Sequence, residues 1–163
     1  MKQDQGLVVT TMVDCYGMPQ TWPGRSNAPQ QTFQDRAATV ERMIAADVSD
    51  DLGSSFDPAR FVPYVVMHEF EGLLFSDPLR FAAGIAKPEL APQFEAIRTQ
   101  FATPEEINDS PVTAPSKRVQ NLFAGYEKPL MGTLAAIDVG LDAIRRECAG
   151  FRSWGERLER LSI

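Results

Sequence analysis

Histidine and cysteine are scarce in this chain, basic residues are outnumbered, and no long apolar run occurs. Its 163 residues hold one histidine, His68, and two cysteines, Cys15 and Cys148. Those three residues follow neither a zinc-binding spacing nor a disulfide framework, so reduced, partly buried thiols in a cytosolic protein are expected. No apolar stretch approaches the roughly 20 residues that span a bilayer. Met1, Lys2, Gln3 and Asp4 lead into no signal-peptide core, so the expectation is a soluble, cytoplasmic protein without a membrane partner. Sixteen Lys and Arg against 22 Asp and Glu give a formal net charge of -6, which argues against nucleic-acid binding by bulk electrostatics while leaving a local basic groove open. Also missing are a phosphate-cradling glycine loop, a nucleophile elbow, an internal repeat and a low-complexity tract.

What is present suits one domain over residues 1–163, with a βαβ core over 1–77 and a helical part over 78–163. The hydrophobic fraction of 44% is enough to bury a single core. Residues 61–77, FVPYVVMHEFEGLLFSD, organise the rest. Phe61, Val62, Tyr64, Val65 and Val66 are β-branched or aromatic and too few for a spanning helix, which predicts a buried strand over about 61–67. Pro63 cannot donate to a ladder and should sit near the strand's start or at an edge. From Glu69 the period turns helical through Phe70, Leu73 and Leu74, and Asp77-Pro78 starts the next helix. An earlier strand is predicted over about 7–13, LVVTTMV, ending at Asp14. A helix from about Asp35, with Ala37, Val40, Ile44 and Val48 on one face, joins the two strands into a parallel βαβ unit.

Beyond Asp77 the patterns are helical. Leu90, Phe94, Ile97 and Phe101 share a face, and Thr103-Pro104-Glu105-Glu106 reads as a capping box. Pro115 opens a helix carrying Val119, Leu122 and Phe123, Gly140 divides two more, and Phe151, Trp154, Leu158 and Leu161 form a final stripe in which Phe151 and Trp154 are core residues. Two parallel strands are little sheet for an α/β domain. Either a further strand hides in the loops or the first strand has lost a neighbour at the N-terminus.

Carboxylates at strand ends project where open α/β sheets bind ligands. Asp14, Glu69 and Glu71 can therefore hold one or two Mg2+ or Mn2+ ions, hard cations that prefer carboxylate oxygens, for two-ion activation of a water. The competing structural readings are a turn cap for Asp14 and a helix-dipole partner for Glu69. His68 is either a hydrogen-bonded structural residue or a participant in the chemistry. Lys117 and Arg118, near a helix opening, are candidate phosphate contacts or a solvated pair. Asn108 and Asp109 read as a cap between helices.

TTMVDCYGMPQTWPG (10–24), VPYVVMHEFEGLLFSDP (62–78), TPEEINDSPVTAPSKR (103–118) and GYEKPLMGTLAAIDVGLDAIRRECAGFRSW (125–154) resemble the bacterial family called domain of unknown function 4276. The resemblance covers nearly the whole chain. It implies an α/β, Toprim-like (Rossmann-like) fold with few parallel strands and a mostly helical C-terminal half. It also implies a Mg2+-dependent nuclease or phosphoryl-transfer activity, working with an ATPase in bacterial defence. On that resemblance Asp14 and Glu69 carry the metal, with Glu69, Glu71 and His68 as catalytic candidates. Relatives begin with a strand ending in a Glu-Gly-x-Thr-Glu motif that this sequence lacks, and Glu127 and Met131-Gly132 stand where relatives often have Asp and His-Gly. A shortened, non-catalytic interaction module is therefore the alternative, with the edge of strand 7–13 open to a partner strand.

Overall fold

The structure, a computed structural model, describes residues 6–26, 32–108 and 112–161. It forms two compact units, Met1–Met67 with Ser153–Ile163, and His68–Arg152. The architecture is α/β, with a two-stranded parallel sheet and most of the helices in the C-terminal half.

In the first unit, β1 (Val9–Asp14) pairs in parallel with β2 (Phe61–Val66), from Val9 opposite Phe61 to Asp14 opposite Val66. The crossover is α1 (Phe33–Leu52), whose first turn is fixed by Thr32, the hydroxyl accepting from the Asp35 amide at 3.2 Å. Ala37, Val40, Ile44 and Val48 turn toward Val9, Val13, Phe61 and Val65, so the helical and strand periods meet in one core. The other face of the sheet is covered from the last helix, which belongs to this unit from Ser153 onward. Trp154 stacks on Tyr64 with ring centroids 5.2 Å apart, and its indole N–H donates to the Thr10 hydroxyl at 2.7 Å. Thr10 in turn donates to the Val62 carbonyl at 2.6 Å, so the tryptophan is tied to both strands.

β2 is buried along its length, yet only β1 pairs with it among the described residues. Its outer side is sealed by a side chain: the Glu41 carboxylate on α1 accepts from the Val65 amide at 3.0 Å. Alternation along the strand puts the Pro63 nitrogen on that same outer side, where a missing N–H breaks no ladder bond. The expectation of an edge position for Pro63 is met in this way.

The second unit is helical. After α2 (Glu71–Leu74) come α3 (Pro78–Gly84), α4 (Ala91–Arg98), α5 (Pro115–Leu122), α6 (Lys128–Val139) and α7 (Leu141–Glu147), followed by the opening of α8 (Ala149–Arg160). Its core is aromatic. Phe75 meets Phe81 and Phe94 edge-on at 5.1 and 5.5 Å, and Phe81 and Phe94 lie 4.7 Å apart, all three fully buried. As predicted, Asp77 caps α3, accepting from the Arg80 amide at 3.0 Å with Pro78 in the first turn.

One local expectation changes form. Thr103 does cap, accepting from Glu105 N at 3.1 Å, but the segment it opens is a single 3-10 turn, Pro104–Glu106. The Glu105 carboxylate instead receives the Gly150 and Phe151 amides at 3.0 and 3.1 Å and caps the start of α8. Along α6 the buried residues are Gly132, Ala135 and Val139, while Leu134 and Ile137 stay exposed. Size decides that face, because a Cβ on Gly84 would lie 2.6 Å from Ala135 Cα, and α3 and α6 approach this closely only where side chains are small.

Candidate active site

The junction after β2 delivers three polar side chains into the helical unit. His68 precedes α2, and its Nδ1 lies 3.2 Å from the Asn108 side-chain nitrogen. With the amide donating, the proton of the neutral ring falls on Nε2. Asn108 therefore orients a histidine, and Asp109, its partner in the expected cap, lies outside the described residues.

Glu69 does not serve its own helix. Its Oε2 accepts from the Ser116 amide at 2.8 Å, in the first turn of α5, where the N-cap residue Ala114 offers no side-chain bond. An acidic side chain from 47 residues earlier thus replaces a local cap and meets the positive end of the helix. Glu69 Oε1 accepts from Lys128 Nζ at 3.0 Å, and the same ammonium lies 3.5 Å from Glu71 Oε2. Two carboxylates and one cation converge.

The environments of the two acids differ. Burial pushes Glu69 upward, but hydrogen bonds from Ser116 and Lys128 outweigh it and hold the carboxyl below its usual range. Burial dominates at Glu71, whose side chain is 5% exposed, and raises it despite its own backbone hydrogen bond and the Lys128 charge. For Lys128 partial burial pulls the ammonium down, yet the Glu69 hydrogen bond and the Glu71 charge prevail and raise it. Glu69 is the firmly ionised member, and Glu71 is the one that takes up a proton more readily.

Tyr126 completes the group. The residue is 4% exposed, and its hydroxyl is buried beside Glu71 without a hydrogen bond of regular geometry among the described residues. Burial, followed by the negative charge of Glu71 and Glu69, raises its pKa, so the phenol keeps its proton. Gly132 leaves it room, since a Cβ there would stand 3.2 Å from the phenol oxygen.

The remaining candidates have contacts of their own. Asp14 belongs to the first unit, where its Oδ1 accepts from the Tyr16 and Gly17 amides at 2.9 and 3.3 Å, the turn-capping geometry weighed for it. Lys117, exposed on α5, donates to Gln120 at 3.0 Å. Arg118 donates to the Thr113 carbonyl at 2.8 Å, and its guanidinium lies 5.1 Å from the Phe101 ring centroid. Among the described residues no group of three or more His, Cys, Asp or Glu side chains could hold a metal ion. Nor is any described helix long and apolar enough to cross a membrane.

A family model described as Domain of unknown function (DUF4276) matches residues 1–159. The chain belongs to that family. No curated protein and no solved structure matches it. For this DUF4276 chain the sequence singled out His68, Glu69 and Glu71 but passed over Tyr126, Lys128 and Ser116. One signal was available: Lys128-Pro129 opens a helix, and a cation at a helix N-terminus opposes the dipole unless an anion holds it there.

Proposed function

We propose that this DUF4276 chain is a Toprim-like, divalent-cation-dependent nuclease or phosphoryl-transfer protein, working as a subunit beside an ATPase in bacterial defence. Its chemistry is centred on Glu69 and Glu71. The observation that supports this reading most is the convergence of those two carboxylates on one cationic position, with the buried Tyr126 hydroxyl beside Glu71.

The donor set fits a hard ion that keeps most of its water. Mg2+ commonly takes one or two carboxylates from the protein and fills its remaining positions with waters and substrate phosphates, whereas a closed structural site needs more ligands than two. Glu69 and Glu71 would hold the ion, which when bound supplies charge neutralisation and a more acidic water. The chain's own residues do the positioning. Ser116 fixes the Glu69 carboxylate, Asn108 fixes the His68 ring as a proton carrier, and Lys117 offers an exposed ammonium to phosphate. Arg118, which donates to the Thr113 carbonyl at the opening of α5, is the second candidate contact to phosphate. Asp14 enters as a metal ligand only from the sequence expectation and is tested separately.

The test is Mg2+- or Mn2+-dependent cleavage of DNA and RNA by the purified chain. Cleavage lost in Glu69→Ala and Glu71→Gln is the expected result. Activity that survives both substitutions refutes the assignment, and Asp14→Asn decides that residue's share.

One observation favours a second reading, an interaction module that carries no chemistry. Among the described residues β1 has a strand neighbour on one side only, while the outer side of β2 is closed by Glu41. A strand from a partner would pair with β1 by β-augmentation. Calorimetry separates the two: absence of Mg2+ and Mn2+ binding at millimolar concentration favours the module.

A further inference from the structure

The cation position between Glu69 and Glu71 is already filled by a group of the chain itself. We infer that the Lys128 ammonium is a tethered counter-ion standing where the divalent ion binds, and that the ion enters only by displacing it. This rests on the metal-dependent reading above and adds a competitor to it.

Three features carry the inference. The carboxylates are held independently of the lysine, Glu69 by the Ser116 amide and Glu71 by burial in the first turn of α2. Among the described residues no other group holds the lysine: it is the first residue of α6, its N-cap Glu127 makes no side-chain cap bond, and the helix dipole there repels an ammonium. Its side chain is 42% exposed on a flexible four-carbon stem, so Nζ can swing into water while the α6 backbone stays in place.

Charge and shape favour the exchange. Two ionised carboxylates against one ammonium leave a net charge of about -1, which a divalent ion brings to about zero at similar distances. Tyr126 supplies the independent sign that a ligand belongs there. Its hydroxyl is buried beside the Glu71 carboxylate and within the field of Glu69, yet it makes no hydrogen bond of regular geometry among the described residues, and such a hydroxyl is uncommon unless a ligand or its water shell meets it. Lysine reaches the two carboxylates and gives this hydroxyl no acceptor of its own, whereas a hydrated ion carries waters that can accept from it.

The experiment is calorimetric titration of the full chain with MnCl2 and with MgCl2, without substrate. Lys128→Gln is expected to bind the ion at least about tenfold more tightly than the unmodified protein, and Lys128→Arg no more tightly. Adding Glu71→Gln to Lys128→Gln should abolish the gain. A second measurement needs no substitution: in protein carrying 13C-labelled lysine, the Lys128 ε-methylene signal should move to the position of solvent-exposed lysines as Mg2+ saturates. Equal or weaker binding by Lys128→Gln, or a Lys128 signal unmoved at saturation, overturns the inference and leaves the metal reading standing. Binding by neither protein overturns both.

Discussion

Asp14 and Glu69 both follow a β-strand, and both accept hydrogen bonds from backbone amides, yet they do different things. Two bonds to the Asp14 carboxylate come from two and three residues ahead, within one turn. Glu69 accepts from the Ser116 amide 47 residues ahead and from the Lys128 ammonium 59 residues ahead, which draws α5 and α6 together at one carboxylate. A short-range acceptor closes a loop, and almost any loop after a strand needs one. A long-range acceptor that also faces a second carboxylate and an ammonium organises a site. The contrast separates two acidic residues that look equivalent from the sequence.

The sharpest way to break this contrast is to remove Glu69. In Glu69→Ala the Ser116 amide loses its acceptor, α5 loses its cap, and Lys128 keeps only the longer contact to Glu71. Two charge-assisted bonds, partly redundant and partly solvated, amount to about 2–3 kcal/mol, or roughly 5–10 °C in Tm for a chain of this length. Thermal denaturation measures it. A loss no larger than that of Asp14→Ala would mean that the two carboxylates are equivalent after all.

Asp14→Ala should cost about 1 kcal/mol, the usual value of a lost cap. Asp14→Asn is the more informative change, because an amide oxygen can still accept from Tyr16 and Gly17. Stability should then stay within about 0.5 kcal/mol of the unmodified protein. If Asp14 only closes its turn, ion binding by Asp14→Asn is also unchanged. A clear fall in Mn2+ affinity with stability intact would give Asp14 a ligand's role.

Much of the fold was legible where its signals are periodic or local. The apolar spacing of α1, the β-branched run of β2 and the Asp77-Pro78 cap each involve residues close in sequence. Partners that folding brings together over distance were not legible. Glu41 lies off the apolar spacing of α1, yet it seals the outer side of β2 at Val65, 24 residues on. Glu105 carried a correct capping signal but serves α8, 45 residues away. Lys128 meets Glu69 across 59 residues, a pairing that no spacing rule encodes. In α6 the larger side chains Leu134 and Ile137 carry the stronger hydropathy signal, but close helix packing buries Gly132 and Ala135 instead.

The smallest expected effect concerns Glu71 and has the opposite sign. Burial raises its folded-state pKa above that of the unfolded chain, so between those two values the folded protein binds the extra proton. Stability contributed by that proton is full below the unfolded pKa and is lost as pH rises through the folded one. At neutral pH the ionised Glu71 is therefore a net cost, only partly offset by Lys128. Glu71→Gln removes the charge and leaves the Lys128–Glu69 pair intact, so in the absence of metal it should stabilise the protein by no more than about 1 kcal/mol at pH 7. The gain should fade as pH falls through the raised pKa and vanish below the ordinary carboxylate range. Depression of Glu69 predicts the reverse for Glu69→Gln, a loss that is full near neutrality and shrinks as pH falls through its lowered pKa. Denaturant titrations of both variants from pH 3 to 8 would show two curves of opposite sign. Parallel curves would mean that the two carboxylates share one environment and that Lys128 does not distinguish them.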